Sequence, residues 1–172
     1  MRRLILSALY LFAGLVAFAQ YEKFDELAQH ITQGDRISLE FSIGFEGNQN
    51  SIAEGNLTLQ GICYCAMANG MRIIGDGKTQ WTIDYKGQEI YIEQGGQMSS
   101  LLSNPKVIRK SLSSLNSTDN SISGIFTTGK NGNTRLSFHL KDIRYSEISD
   151  NSGEFSVDCS EYPEPWVITD LR

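Results

Sequence analysis

Imidazole and thiol are scarce in this chain, and a second long apolar run is missing altogether. His30 and His139 are the two imidazoles among 172 residues, so a base beside a nucleophile or a pair of histidines at zinc-ligand spacing lacks its minimum set. His139 alternates onto a polar strand face, and His30 flanks an apolar helical stripe; both read as solvated or capping residues. Cys63, Cys65 and Cys159 are the three thiols, an odd count that allows at most one bridge. Cys63 and Cys65 point the same way along a strand, where extended geometry disfavours a direct bond between them. A bond from either to Cys159 remains open. No acidic pair is singled out for glycoside chemistry, and Trp81 and Trp166 read as core or rim residues rather than sugar platforms. The chain is expected to be non-enzymatic, with no cofactor and no metal.

The one long apolar run stands at the start. Arg2 and Arg3 precede an uncharged stretch from Leu4 to Phe18 that ends in Ala17-Phe18-Ala19, the small-x-small pattern of signal-peptidase cleavage. It is shorter than the roughly 20 residues that span a bilayer. Residues 1–19 are therefore expected to be a cleaved signal peptide, with Gln20 first in an exported periplasmic protein of one domain, 20–172, not itself lipidated. Without Arg2 and Arg3, about 13 basic residues face 20 acidic ones. That balance argues against nucleic acid or an anionic membrane surface as partner.

Gly77-Lys78-Thr79 imitates the end of a phosphate-binding loop. However, Arg72 stands where that motif needs glycine, and Trp81, Ile83 and Tyr85 continue with the period of a strand rather than a helix. Asp76-Gly77 is instead expected to be a type I′ hairpin turn. A helix is predicted over 21–33, with Phe24, Leu27, Ala28 and Ile31 on one stripe and Gly34 after its end. Period two follows in Ile37, Leu39, Phe41, Ile43 and Phe45, then in Leu57 and Leu59, 62–67, 71–75, 79–85 and 88–94. Residues 99–115 read as two helices separated by Ser103-Asn104-Pro105, with Leu101 and Leu102 on the first and Ile108, Leu112 and Leu115 on the second. Residues 113–123 overlap this as a polar loop. Strands are expected again over 121–128, 134–141 (Phe138 and Leu140 inward), 144–149 and 154–159.

The whole is a mainly β protein: a single curled antiparallel sheet, an unclosed half-barrel of about 10–11 strands in meander order. An N-terminal helix and a mid-chain helical insertion cover its apolar face. A pocket is expected under that cover. Its lining would be Leu39, Phe41, Ile43, Leu57, Leu59, Tyr64, Trp81, Phe138 and Leu140 from the sheet. Phe24, Leu27, Leu101, Leu102 and Ile108 would face them from the lid. The same side chains filling a closed core is the competing expectation.

Three motifs occur in order along the chain: Gly55-Asn56-Leu57 in a strand, the hairpin Asp76-Gly77-Lys78-Thr79-Gln80-Trp81, and Phe155-Ser156-Val157. A tail of Tyr162-Pro163 and Val167-Ile168-Thr169-Asp170-Leu171-Arg172 follows. In this the chain resembles the periplasmic outer-membrane lipoprotein carrier family, LolA, over essentially all of residues 20–172. The resemblance implies an incomplete barrel with a helical lid and an apolar cavity for lipoprotein acyl chains or another lipid. It further implies a monomer that receives cargo from an inner-membrane donor complex and passes it to an outer-membrane acceptor. Proteobacterial members carry an Arg-Pro pair after the Gly-x-Leu strand, which favours onward release; here the region reads Gln60-Gly61. Glutamine lacks the charged planar fork of arginine, so directional handover does not follow from the resemblance. The alternative is an exported lipid- or ligand-sensing or protein-interaction domain of the same fold.

Overall fold

A computed structural model describes residues 21–172 except 49, 96, 110, 111, 129–133 and 149–151. The expected signal segment and its cleavage point lie outside the described residues. Residues 21–33 are helical (α1) and end where Gly34 adopts φ 84°, the left-handed stop that glycine takes most easily. Six strands follow: β1 (Arg36–Phe45), β2 (Ser51–Gln60), β3 (Cys63–Ala68), β4 (Met71–Gly75), β5 (Thr79–Asp84) and β6 (Glu89–Gln94). Two short helices, α2 (Gln97–Ser103) and α3 (Lys106–Arg109), lead to β7 (Leu112–Thr118), β8 (Ser121–Thr128) and β9 (Thr134–Ser146). After 3-10 turns at Ser152–Phe155 and Cys159–Glu161 comes β10 (Val167–Asp170).

All ten strands form one sheet in the order β10-β6-β5-β4-β3-β2-β1-β9-β8-β7. It is the expected unclosed, curled, mainly β architecture with helices. Two meanders, β1 to β6 and β7 to β9, meet where β9 returns beside β1, so the connection is not one continuous meander. β10 lies parallel to β6, whereas the tail motif gave no strand signal.

Four local expectations are corrected. Helix does not run to residue 115: Leu112–Thr118 is a strand paired with β8. The spacing of Ile108, Leu112 and Leu115 fits a helix, but Ser113, Ser114, Asn116, Ser117 and Thr118 compete for helical backbone groups, and the partner strand decides. The polar loop expected over 113–123 is the hairpin these two strands make. The strands expected over 134–141 and 144–149 are a single β9, interrupted by a register shift opposite Ser38 and Glu40 and by Asp142 at φ 52°. Residues 154–159 are not a strand: 154–155 end the first 3-10 turn, 156–158 are an irregular link and 159 begins the second turn.

The turn at Asp76-Gly77 is also different in kind. Gly77 alone has positive φ, 92°, and the Asp76 carboxylate accepts from Lys78 N at 2.8 Å and Thr79 N at 2.7 Å, a side-chain-capped turn. The type I′ geometry occurs at Asn69-Gly70, where φ is 52° and 78°.

Candidate functional site

Because paired residues share a face of a sheet, the register divides the apolar side chains into two sets. Ile37, Leu39, Phe41 and Ile43 sit opposite Leu59, Leu57, Gly55 and Ala53 of β2. Phe41 and Ile43 sit opposite Leu140 and Phe138 of β9. Phe24, Leu27, Ile31 and Leu102 pack onto this face, here called the lid face. Ile74, Trp81, Ile83, Ile90 and Ile92 lie on the opposite face and are covered by Val157, Cys159, Tyr162 and Trp166 of the C-terminal segment; this is the tail face. Ile73 belongs to the first set and its neighbour Ile74 to the second.

The expected pocket residues therefore separate. Leu39, Leu59, Tyr64, Phe24, Leu27 and Leu102 are buried together, with Phe41, Leu57, Ile108, Phe138 and Leu140 packed against them. Ile43 is half-buried beyond this cluster. Two assignments are corrected. Trp81 alternates onto the tail face, since it pairs with Ile74 and Ile92. Leu101 is 38% exposed while Leu102 is 6% exposed, because consecutive helical residues point about 100° apart. Ile31, Ile37, Ile73, Leu115, Ile122 and Ile143 also join the lid-face cluster. Ile37 and Ile31 continue series already evident in the sequence. Ile73 followed by Ile74 offered no parity to choose between faces.

Along β1 the apolar stripe emerges from cover: Ile37 is 0% exposed, Leu39 5%, Phe41 and Ile43 half-buried, and Phe45 48% exposed. Among the described residues, one end of the lid face is closed by side chains and the other lies open. Laterally it ends in polar contacts. Tyr64 lies over Gly75, where any Cβ would collide with its ring, and its hydroxyl donates to Gln80 Oε1 at 2.6 Å. Gln80 Nε2 donates in turn to Glu93 Oε2 at 3.1 Å. Burial, with Glu93 and Asp76 adding to it, pushes the Tyr64 hydroxyl up, which keeps it a donor.

The lid is fixed at both ends of α1. Arg109 of α3 reaches both oxygens of Asp25 at 3.2 Å, and its guanidinium lies 4.4 Å from the Tyr21 ring centre. At the other end His30 Nδ1 lies 2.6 Å from Asp35 Oδ2, with its ring stacked on Tyr145 at 3.8 Å. All three cysteines are unbridged. Among the described residues no cluster of three or more His, Cys, Asp or Glu gathers as a metal-ligand set.

No family model matches the chain, and no curated protein matches it in sequence. Among solved structures, an uncharacterized conserved protein from Thermus thermophilus is similar at a TM-score of 0.47 and 6% identity, over 87% of this chain and 99% of that one.

Proposed function

We propose that the protein carries lipid, the acyl chains of lipoproteins or another acyl-bearing molecule, on its lid face. It would do so in the periplasm, between an inner-membrane donor and an outer-membrane acceptor. The observation that carries this reading is the graded exposure of the stripe from Ile37 to Phe45. An apolar surface continues from beneath a lid into the open, so an acyl chain laid on the open end can extend inward as α1 and α2 lift. Each buried CH₂ contributes about 0.8 kcal/mol, and ordering costs are subtracted from that sum. Lifting α1 gives up the apolar packing of Phe24, Leu27 and Ile31, which the acyl chain would replace, and the exposed α1–α3 clasp, where such a pair is worth at most about 1 kcal/mol. The likeness of the hairpin and tail motifs to the lipoprotein carrier family supports the same reading.

Phe41 and Glu40 are adjacent on β1 and face opposite ways, which makes them a controlled pair. Phe41→Asp is expected to reduce binding of a fluorescent fatty-acyl probe at least tenfold, and Glu40→Lys to leave it unchanged. Circular dichroism must show both variants folded. A folded Phe41→Asp protein that binds the probe normally would remove the lid face as the site.

A further inference from the structure

We propose that the gap between α1 and the β7–β8 turn binds an organic ammonium group, so that an amphiphile on the lid face places its cationic end there. The second clause rests on the lipid-binding reading above; the ammonium site itself does not.

The gap is a cavity of about 90 Å³, room for several waters or one small head group. Its rim is polar: Lys23 and Glu26 on α1, with Thr118, Asp119 and Ser121 on the hairpin. Its floor is Ile122 and Ile143. Ile122 is buried in the lid-face cluster and Ile143 packs against it, so the cavity joins water to the same apolar core. A site with a polar mouth and a floor continuous with an acyl-binding face suits a molecule with a polar head and an apolar chain.

The rim charges select the sign of that head. Lys23 Nζ is held by Glu26 Oε2 at 2.9 Å. The Thr118 and Ser121 hydroxyls are bonded to each other at 2.7 Å. Asp119 lies within electrostatic reach of Lys23, but among the described residues its carboxylate makes no hydrogen bond or ion pair. Two carboxylates against one ammonium leave the rim one charge negative. Tyr145 forms a wall of the cavity; one face of its ring is stacked on His30, which leaves the other face as the π surface that attracts ammonium groups. Burial, with Glu26 adding, pushes the Tyr145 hydroxyl up to about 12; it therefore stays neutral and able to accept a hydrogen bond. A carboxylate or sulfate head would meet Glu26 and Asp119 with the lysine already engaged.

The test uses the intact exported chain and three probes: dodecylammonium, dodecanoate and ethylammonium, each below its aggregation concentration. Dodecylammonium is expected to bind about three- to fivefold more tightly than dodecanoate, the size of a single partly exposed charge pair. Asp119→Asn should abolish that preference by weakening dodecylammonium binding, with dodecanoate bound no more weakly than in the wild type. Ethylammonium should shift the backbone amide resonances of Asp119 and Ser121 in the wild type and not in the variant. If both amphiphiles bind equally and Asp119→Asn changes neither, the ammonium site is overturned while lipid binding stands. If ethylammonium shifts those resonances but neither amphiphile binds, the lid-face reading fails and the site stands. If neither amphiphile binds and ethylammonium shifts nothing, both are overturned.

Discussion

The two faces of the sheet bury similar residues by different means. On the tail face, Ile74, Ile83 and Ile90 are each 0% exposed, and their cover is the chain's own C-terminal segment, which then adds β10 to the sheet through Val167 N to Gln88 O and Leu171 N to Ile92 O. Trp166 is held edge-on by Tyr162 at 4.9 Å and Tyr85 at 6.0 Å. Cover that is itself hydrogen-bonded into the sheet cannot lift without breaking backbone pairing. On the lid face, by contrast, α1, α2 and α3 contribute side chains and no strand. Their attachment is apolar packing plus side-chain polar contacts, exposed at Asp25–Arg109 and part-buried at His30–Asp35 and Ser99–Ile62 O. Cover hydrogen-bonded into the sheet and cover that is not thus occur back to back, and the proposed carrier reading builds on that difference: stability on the tail face, binding on the lid face.

Substitutions can break this contrast, and the largest effect belongs on the tail face. Ile74→Ala should cost about 3 kcal/mol in urea unfolding, within the usual range for emptying a buried aliphatic site, while leaving acyl-probe affinity within about twofold. Phe41→Ala, at a half-buried position, should cost less stability and more affinity. The reverse ordering would mean that the faces have been assigned the wrong roles.

A smaller effect is expected at the clasp. Arg109→Ala removes an exposed ion pair and a cation–π contact, which together contribute at most about 1–2 kcal/mol. Its main consequence should be faster probe association, an acceleration that added salt also produces in the wild type. Equal association rates in variant and wild type would show that the α1–α3 clasp does not limit access.

The smallest effect belongs to the local, exposed contact between Asp170 at the end of β10 and Arg172. Hydrogen bonds from the Arg172 side chain, and then from its backbone N–H, lower the Asp170 carboxyl from 3.8 to about 2. A carboxyl lowered on folding adds stability above its unfolded value and surrenders it as the pH falls through that interval. Nuclear magnetic resonance titration should therefore show the contacts around Asp170 loosening between about pH 4 and pH 2, without change at higher pH. Asp170→Asn should abolish that transition; a transition that persists in the variant would assign it to another group.

Much of this contrast was legible in the residues. Alternation from Ile37 to Phe45 gave β1 and its apolar face, and the 21–33 stripe gave α1 with Gly34 as its stop. What local pattern could not supply was partnership. Trp81 has the alternation of a buried strand residue, but only pairing with Ile74 and Ile92 shows which face it joins. Leu112–Thr118 carries helical spacing by coincidence and becomes a strand because β8 is beside it. Val167–Asp170, too short for a period, becomes a strand only against β6. The expected site was recovered where residues of one periodic series pack together, and missed where two adjacent isoleucines, 73 and 74, part to opposite faces.

Amide hydrogen exchange, read by mass spectrometry with and without a saturating long-chain fatty acid, tests the contrast most directly. Residues 21–33 should exchange through local opening, faster than β4 to β6, and the fatty acid should alter their exchange while leaving β4 to β6 unchanged. Exchange of both regions together at the rate of global unfolding, with no response to the fatty acid, would contradict a removable lid over a binding face.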